Sequence, residues 1–422
     1  MFELTNPEEL GLSSTRLQRI AAWTDRLVDD GRLAGSSVLI SRFGRCAWFH
    51  ASGRQTLDRP TPIAEDTIFR IYSMTKPITS VAAMMLYERG LFQLDDPISV
   101  YLPEFAQMQV CDGADGARAH FERARSPITI RHLLTHTSGL AHHERGDSTV
   151  HQLYREHKID FGQRFGTLAD VTQKLAKLPL LFHPGTRWNY GVSTDVLGRL
   201  VEVLSGKTLA EFFNNEIFDP LGMHDTAFSV AHGKLGRLAT MYTLSDVAGT
   251  GTAKQATGAV AGNGCLTLLD PAEGGHFSMQ TSLFSGGGGL TSTTADYFRF
   301  ALMLRNEGSV HGNRLLGRKT VNYMRQNHLP GTMSEMGVPQ FNADTHLGDG
   351  LGFGLGFAVV LDPCRAQVMG SAGEYFWTGV GGTQFWIDPQ EDLIVIQMAQ
   401  MRPASLVPTR KILRSLVYQA LI

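Results

Sequence analysis

Length, composition and charge limit the kind of protein that this chain can be. It has 422 residues, of which 43% are hydrophobic, and its 38 Lys and Arg against 40 Asp and Glu leave a formal net charge of −2 with His neutral. This apolar content can fill a large core in roughly one to three domains. A nearly balanced charge without long runs of one sign argues against a nucleic-acid-binding protein.

The first residues and the spread of apolar side chains bear on cellular location. The opening MFELTNPEEL carries acidic residues and lacks the basic cluster and apolar stretch of a secretory signal. No stretch approaches about 18 consecutive apolar residues, so no membrane-spanning segment is predicted. We therefore predict a cytoplasmic protein with no membrane partner. Its four cysteines are widely scattered, which indicates free thiols rather than a disulfide framework.

Both ends of the chain predict parts of one sheet. A helix capped by Ser13 is expected to run to about residue 30, followed by strands at 37–41 and 46–51 that a turn at 43–45 joins. The far end has short strand-like runs, and then an apolar stripe typical of a final helix. These runs are at 357–361, 366–370, 383–387 and 393–398. Residues 393–396 are apolar on both faces, as in a central strand.

The middle of the chain is dominated by helical patterns closed by Gly or Pro. These patterns lie at 79–89, 168–178, 194–205, 209–218 and 295–306. Two long stretches, 111–125 and 233–289, lack clear periodicity and are expected to be pocket-forming loops. We predict an α/β protein with a sheet-centred domain from residues 1–75 and 351–422. A mostly helical domain, residues 76–350, is inserted between them.

The strongest chemical signal is the tetrapeptide SMTK at residues 73–76. It follows a strand-like run at 68–72 and opens a helix with Pro77 in its first turn. Because residues three apart share a helix face, the Lys76 amine can reach the Ser73 hydroxyl and act as its base. Alone, the pattern also fits a capping serine followed by an exposed lysine.

Two further segments strengthen a catalytic interpretation. Tyr190 lies in a loop just before a predicted helix, and its phenol can relay protons, although it can also simply pack with Trp188. The run WTGVGG at 377–382 precedes a predicted strand. Its glycines let the backbone approach a substrate, so that an N–H there and the N–H of Ser73 can form an oxyanion hole.

Taken together and in order, these segments resemble the serine hydrolases related to class C β-lactamases and penicillin-binding proteins. The segments are SMTK at 73–76, LLTHTSGL at 133–140, the Tyr190 loop, GGLTST at 288–293 and WTGVGG at 377–382. Within that group the chain is most similar to family VIII carboxylesterases, from about residue 10 to the last helix. The resemblance implies a β-lactamase-like fold: an antiparallel sheet flanked by the N- and C-terminal helices, with an inserted, mostly helical domain.

The resemblance also implies roles for individual residues. Ser73 is expected to be the nucleophile, Lys76 its activating partner and Tyr190 the catalytic phenol. The implied substrate-binding strand has Trp377, Thr378 and Gly379 in place of a Lys-Thr-Gly element, with the backbone N–H of Val380 as second oxyanion donor. No cofactor is implied.

Two positions depart from the β-lactamase pattern. Residue 192 is Val where a Tyr-x-Asn element has Asn, so one polar contact to an amide substrate is lost. Residue 377 is Trp rather than Lys, which removes a Coulomb attraction of up to about 4 kcal/mol for a nearby substrate carboxylate. We therefore predict a carboxylesterase that acts on small neutral esters with short to medium acyl groups.

Several alternatives stay open at this stage. On the same scaffold they are a β-lactamase or D-amino-acid peptidase, an acyltransferase, and a non-catalytic penicillin-binding sensor. The G-x-S-x-G elbow of α/β-hydrolases is absent from the sequence. His132 and His136 have helical metal-ligand spacing, but no H-E-x-x-H pattern occurs, and we predict no metal. The histidines at 151 and 157 are expected on a solvated helix face.

Overall fold

The computed structural model describes residues 2–112, 119–245, 265–338 and 348–422. Its strands are β1 (Gly35–Arg42), β2 (Arg45–Gly53), β3 (Ile68–Arg70), β4 (Gln109–Asp112), β5 (His120–Arg123), β6 (Met241–Ser245), β7 (Cys265–Asp270), β8 (Thr291–Thr293), β9 (Ser309–Val310), β10 (Asn313–Arg314), β11 (Leu351–Phe353), β12 (Ala358–Val360), β13 (Tyr375–Gly379), β14 (Thr383–Asp388) and β15 (Leu393–Ala399).

The helices lie between and outside these strands. They are α1 (Ser14–Asp29), α2 (Thr75–Glu88), α3 (Ile130–Leu134), α4 (Thr149–Glu156), α5 (Leu168–Leu175), α6 (Ser193–Ser205), α7 (Leu209–Phe213), α8 (Asp219–Leu221), α9 (Thr294–Arg305), α10 (Arg318–Met324), α11 (Pro363–Ala366) and α12 (Arg410–Tyr418). A π-helical turn, Asn214–Phe218, joins α7 to α8, so the helix predicted at 209–218 is not a continuous α-helix. No helix of the described residues has the length and apolar character needed to cross a bilayer.

Both ends of the chain build one antiparallel sheet, as predicted. Within the described residues its order is β11-β12-β13-β14-β15-β1-β2. Every residue of β15 is buried, and Ile396 pairs with Leu39 of β1 on one side and Phe385 of β14 on the other. A strand that is covered on both faces needs an apolar run without alternation, which explains the sequence of β15.

The terminal helices pack together beside this sheet. The Ser13 side chain accepts a hydrogen bond from the backbone N–H of Arg16 and so caps α1, as predicted. Helix α1 contacts β2 and α12, and α9, from the middle of the chain, contacts β15 and β1. The division into domains at residues 75 and 351 stays a prediction.

The prediction of a strand at residues 366–370 was wrong. The Asp362 carboxylate accepts hydrogen bonds from the backbone N–H groups of Cys364 and Arg365, and Pro363 occupies the first helical position, so this segment begins as the short helix α11. Gln367 then turns the chain with a φ of +55°. The strand forms later, as β13, where consecutive apolar residues fit between β12 and β14.

The two segments predicted as loops contain strands. Strands β4 and β5 pair in the first segment, while residues 113–118 lie outside the described residues. Strands β6 and β7 pair in the second, and residues 246–264 lie outside the described residues. Short strands that are partly exposed carry little periodicity, which is why the sequence pattern did not reveal them.

Candidate active site

Ser73 lies where a short strand turns into a buried helix. Strand β3 ends at Arg70, Tyr72 to Met74 form a 3-10 turn, and α2 begins at Thr75, so Ser73 immediately precedes the helix rather than opening it. Tyr72 has a φ of +43°, an unfavourable backbone conformation for a residue with a side chain. This tight turn presents the Ser73 hydroxyl at the end of a rigid helix.

The buried guanidinium of Arg70 anchors the strand that leads to this turn. It donates hydrogen bonds to the Asp270 carboxylate at 2.7 Å and to the backbone carbonyl of Pro271 at 2.8 Å. The backbone N–H of Arg70 donates to the side chain of Gln400. The strand before Ser73 is therefore bound to two distant parts of the chain.

The three predicted polar side chains meet at Ser73. Its Oγ lies 2.5 Å from the phenol oxygen of Tyr190 and 3.3 Å from Nζ of Lys76. The Lys76 Nζ also donates to the backbone carbonyl of Gly287 at 2.6 Å, and it lies 4.6 Å from the centre of the Tyr190 ring. A hydroxyl with an amine and a phenol in hydrogen-bonding range has the geometry of an activated nucleophile.

The surroundings of Tyr190 favour loss of its proton. Burial raises the pKa of the Tyr190 phenol, but the positive charges of Lys76 and Arg145 and hydrogen bonds to Lys76 and Ser73 outweigh it, so the pKa lies below its usual value. An opposite charge nearby stabilises the ionised form of a phenol. The phenol can therefore exchange a proton with its neighbours more easily than an exposed tyrosine.

Sequence reasoning missed Asp195, which is linked to Lys76 through the backbone of Gly287. Its buried carboxylate accepts hydrogen bonds from Ser285 Oγ at 2.6 Å and from the backbone N–H of Gly287 at 2.9 Å. Burial raises the pKa of Asp195, whereas the charge of Lys76 and these hydrogen bonds oppose that rise. An acidic residue on the apolar face of the predicted helix 194–205 was the available signal.

Strand β13, which is predicted to bind the substrate, packs against the turn that carries Ser73. A Cβ atom on Gly379 would lie 2.4 Å from the carbonyl oxygen of Ile71 and 2.3 Å from Thr383 Oγ1, so only glycine permits this approach. Thr378 is half-buried and lines a cavity beside Ser73, as Val380 does. The backbone carbonyl of Val380 accepts a hydrogen bond from Ala404. The role of the Val380 N–H as an oxyanion donor stays a prediction.

Trp377 belongs to a buried aromatic cluster. Its ring centre lies 5.8 Å from that of Tyr190, 6.5 Å from that of His136 and 5.4 Å from that of Phe353. Burial and then the charges of Lys76 and Arg145 hold the pKa of His136 well below its usual range. The imidazole is therefore a neutral packing partner of the Tyr190 phenol near pH 7.

The structure accounts for other histidines without a metal. His132 accepts a hydrogen bond from the backbone N–H of Thr129 and completes the capping box of α3. His151 is buried and hydrogen-bonds Ser148 Oγ, so its predicted place on a solvated helix face was wrong, although His157 is exposed. The described residues contain no group of three or more His, Cys, Asp and Glu side chains arranged around one ion.

Two cavities meet at Ser73. One, of about 390 Å³, has apolar walls that include Phe376, Trp377 and Ile412. The other, the polar cavity, of about 460 Å³, has mixed walls in which the charged side chains of Asp160, Arg164 and Arg402 lie beside apolar ones. Both are bordered by Ser73, Tyr190, Arg145 and Val380. The Ser73 hydroxyl is therefore open to two cavities, one largely apolar and one with charged side chains in its walls.

Known proteins share this architecture along the whole chain. Esterase EstB from Burkholderia gladioli is 30% identical over 93% of this chain and 92% of its own. Monacolin J acid methylbutanoyltransferase from Aspergillus terreus is 28% identical over 86% and 83% of the two chains. The solved structure of EstCE1, described as a hydrolase with promiscuous acyltransferase activity, superposes with a TM-score of 0.77 at 29% identity, covering 96% of this chain and 99% of its own.

The relationship extends to a whole protein family. The Beta-lactamase family model matches residues 20–418, which include both ends of the sheet and all the site residues described above. This confirms the predicted resemblance and the β-lactamase-like fold. The chain therefore belongs to the beta-lactamase family of serine hydrolases.

Proposed function

We propose that the protein is a carboxylesterase of the family VIII type, which hydrolyses neutral esters with short to medium acyl groups. The proposal depends above all on one observation: Ser73 Oγ lies within hydrogen-bonding distance of both Tyr190 and Lys76. The similarity to EstB and EstCE1 supports an ester as the substrate. No cofactor takes part in this chemistry.

In the proposed cycle, Ser73 transfers its proton toward Tyr190 and Lys76 while its oxygen attacks the ester carbonyl. The resulting oxyanion accepts hydrogen bonds from the backbone N–H groups of Ser73 and Val380. The tetrahedral intermediate collapses, the bond to the alcohol oxygen breaks, and Tyr190 returns a proton to the departing alcohol. Water then attacks the acyl-enzyme by the same route and releases the carboxylic acid and free Ser73.

The two cavities suggest how a substrate lies. The apolar cavity next to Trp377 suits an acyl chain, because its walls gain from removing hydrocarbon from water. Its volume of about 390 Å³ fits a short to medium chain. With Trp at 377, the strand beside the reacting carbonyl offers no ammonium for a carboxylate. The cations that do border this cavity, among them Arg145 and Lys411, lie outside that strand. The loss of the strand ammonium favours neutral esters over β-lactams and peptides that carry a carboxylate.

Acyl transfer is the second candidate. The chain is similar to a methylbutanoyltransferase, and the polar cavity of about 460 Å³ beside Ser73 can hold an acceptor alcohol in place of water. A β-lactamase or D-amino-acid peptidase needs a contact to the substrate carboxylate that Trp377 does not supply. A penicillin-binding sensor would be acylated once and would not hydrolyse the acyl-enzyme.

The decisive experiment compares the wild-type protein with Ser73→Ala on matched substrates. We expect turnover of p-nitrophenyl acetate, butyrate and hexanoate by the wild type, far weaker turnover of a chromogenic cephalosporin, and no acylation of Ser73→Ala by mass spectrometry. Near-normal esterase activity of Ser73→Ala would refute the proposal. Stoichiometric release of nitrophenol without turnover would identify a sensor instead.

A competing acceptor separates hydrolysis from transfer. The wild type is incubated with p-nitrophenyl butyrate and increasing concentrations of an alcohol, and the acid and the new ester are quantified by chromatography. Hydrolysis predicts butyric acid as the main product at low alcohol concentration. A dominant new ester under those conditions would favour the acyltransferase.

A further inference from the structure

Two cations lie against the ring of Tyr190, and only one of them was expected. Lys76 Nζ and the guanidinium carbon of Arg145 are each 4.6 Å from the ring centre. Both are within the range of a cation–π contact, and the positive charge of each lowers the pKa of the phenol against the opposing effect of burial. Arg145 comes from the loop before α4 and borders both cavities at Ser73.

Hydrogen bonds and a tight turn fix the backbone of the loop that carries Arg145. The Arg155 side chain, on α4, donates hydrogen bonds to the backbone carbonyls of His143 at 3.0 Å and Gly146 at 2.9 Å, on either side of Arg145. Gly146 has a φ of +136°, and a Cβ there would lie 2.6 Å from the buried ring of His151. The turn is therefore held by contacts on both sides of Arg145.

The charge of Arg145 is not neutralised by a neighbouring carboxylate. The adjacent Glu144 lies 3.5 Å from a guanidinium nitrogen of Arg402 and 3.8 Å from His143 Nε2. Within the described parts of the chain, Arg145 forms no ion pair. Its positive charge therefore acts on the phenol without compensation.

The other groups around Tyr190 carry no competing positive charge near pH 7. The rings of His136 and His142 lie 5.1 and 6.4 Å from the Tyr190 ring. Burial, followed by the charges of Arg145 and Lys76, lowers the pKa of His142 to about 3, and the pKa of His136 is also depressed. The carboxylate of Asp195 is linked to Lys76 through Gly287, and the charge of Lys76 lowers the pKa of Asp195 against the larger effect of burial. Lys76 and Arg145 are the cations that act on the phenol directly.

These two cations differ in one decisive respect. In the proposed cycle Lys76 exchanges protons with Ser73 and Tyr190, so it is neutral whenever it is ready to accept a proton and is charged only after it has done so. A guanidinium stays protonated throughout. We propose that Arg145 is a positioning residue that supplies the permanent positive charge stabilising the Tyr190 phenolate. This inference relies on the proposed function, in which Tyr190 accepts and returns the proton.

The test is the pH dependence of kcat/KM with phenyl butyrate, a neutral ester, measured by chromatography of released phenol. Arg145→Gln keeps a planar side chain of similar shape but removes the charge. We expect the acidic limb of its pH profile to move to higher pH. On that limb kcat/KM should be about threefold lower than in the wild type, while the plateau at high pH is retained. Arg145→Lys should lie between this variant and the wild type.

Arg402→Gln is the matched control. Arg402 borders the same polar cavity, but its guanidinium lies over the ring of Tyr72 rather than that of Tyr190. We expect its acidic limb to stay near that of the wild type. An unmoved limb in Arg145→Gln, a change confined to KM, or an equal movement in Arg402→Gln would each overturn the inference.

Failure of the inference can be told apart from failure of the proposed function. If Ser73→Ala and Tyr190→Phe lose esterase activity while the limb of Arg145→Gln is unmoved, only the role of Arg145 is wrong. If Ser73→Ala retains activity, the proposed function is wrong, and the inference falls with it.

Discussion

The Asp195 carboxylate accepts a hydrogen bond from the backbone N–H of Gly287 at 2.9 Å, and the carbonyl of Gly287 accepts one from Lys76 Nζ at 2.6 Å. A single glycine thus links the amine beside Ser73 to a buried carboxylate. A Cβ on Gly287 would lie 2.3 Å from Asp195 Oδ2, so the link requires a residue without a side chain.

Asp195→Asn is predicted to lower kcat/KM about tenfold, because it removes a carboxylate that interacts electrostatically with Lys76 while retaining an acceptor for the Gly287 N–H. Steady-state kinetics would measure the fall in kcat/KM, and thermal unfolding would measure any change in stability. Asp296→Asn is the control, since Asp296 is another buried carboxylate that instead binds the Asp225 N–H and Thr226 Oγ1. Equal activity of the two variants would contradict the role of Asp195.

Gly379→Ala is predicted to reduce kcat about 100-fold, because the new methyl group must push β13 away from the Ile71 carbonyl and displace the Val380 N–H from the reacting oxygen. Gly233→Ala is the comparison, since a Cβ at Gly233 meets nothing within 4 Å. Circular dichroism would check that both variants fold. A kcat close to that of the wild type in Gly379→Ala would exclude this strand from the oxyanion site.

Trp377→Phe is predicted to broaden the acyl preference. The smaller ring enlarges the apolar cavity, so kcat/KM for hexanoate relative to acetate esters should rise about tenfold. The stability cost should be about 1–3 kcal/mol, because the buried Trp377 Nε1 has no hydrogen-bond partner to lose within the described chain. Trp386→Phe, a buried tryptophan on β14, is the matched control. An unchanged ratio in Trp377→Phe would show that the acyl chain lies elsewhere.

Asp225 is predicted to make stability depend on pH. Its hydrogen bond to Arg237 lowers the pKa, burial opposes this, and Lys234 adds to the lowering, so the pKa falls to about 2. Since the folded pKa lies below the unfolded value of about 3.9, the ionised form stabilises the fold above pH 4. This contribution is lost as the pH falls through 2.

Asp225→Asn should therefore lower the free energy of unfolding by about 1–2 kcal/mol at pH 7, and the loss should roughly halve by pH 3. Urea unfolding at several pH values measures this. Asp147→Asn, at an exposed side chain whose pair with Arg155 spans 3.5 Å, should show little change. A loss for Asp225→Asn that is the same at pH 7 and pH 3 would contradict the prediction.

Local sequence patterns were enough to predict some features of the fold and the site. The spacing of Ser73 and Lys76 predicted their contact, because the 3-10 turn that carries Ser73 leads directly into α2 and residues three apart lie on the same side of such turns. The apolar run of β15 predicted its central position for a similar reason. The prediction of a strand at 366–370 was wrong, because the capping of α11 by Asp362 outweighs a short strand-like run of residues.

Other parts of the site could not be read from any local pattern. Arg145 lies in a polar stretch of a kind common in loops, and nothing in its neighbours indicates that it packs on the Tyr190 ring. Asp195 was an acidic residue on an apolar helix face, a signal that marks burial but names no partner. Their roles depend on contacts between segments 45 and 92 residues apart, Arg145 with Tyr190 and Asp195 with Gly287.

The sequence by itself predicted a serine and an amine one helical turn apart, the sheet built from both chain ends and the family resemblance, because each depends on a repeat, a spacing or an ordered set of short segments. The tertiary structure alone decided how the phenol is charged, how Lys76 is anchored and how two unlike cavities meet at one hydroxyl. Electrostatics and cavity shape arise from distances between remote side chains, and those distances exist only after the chain has folded.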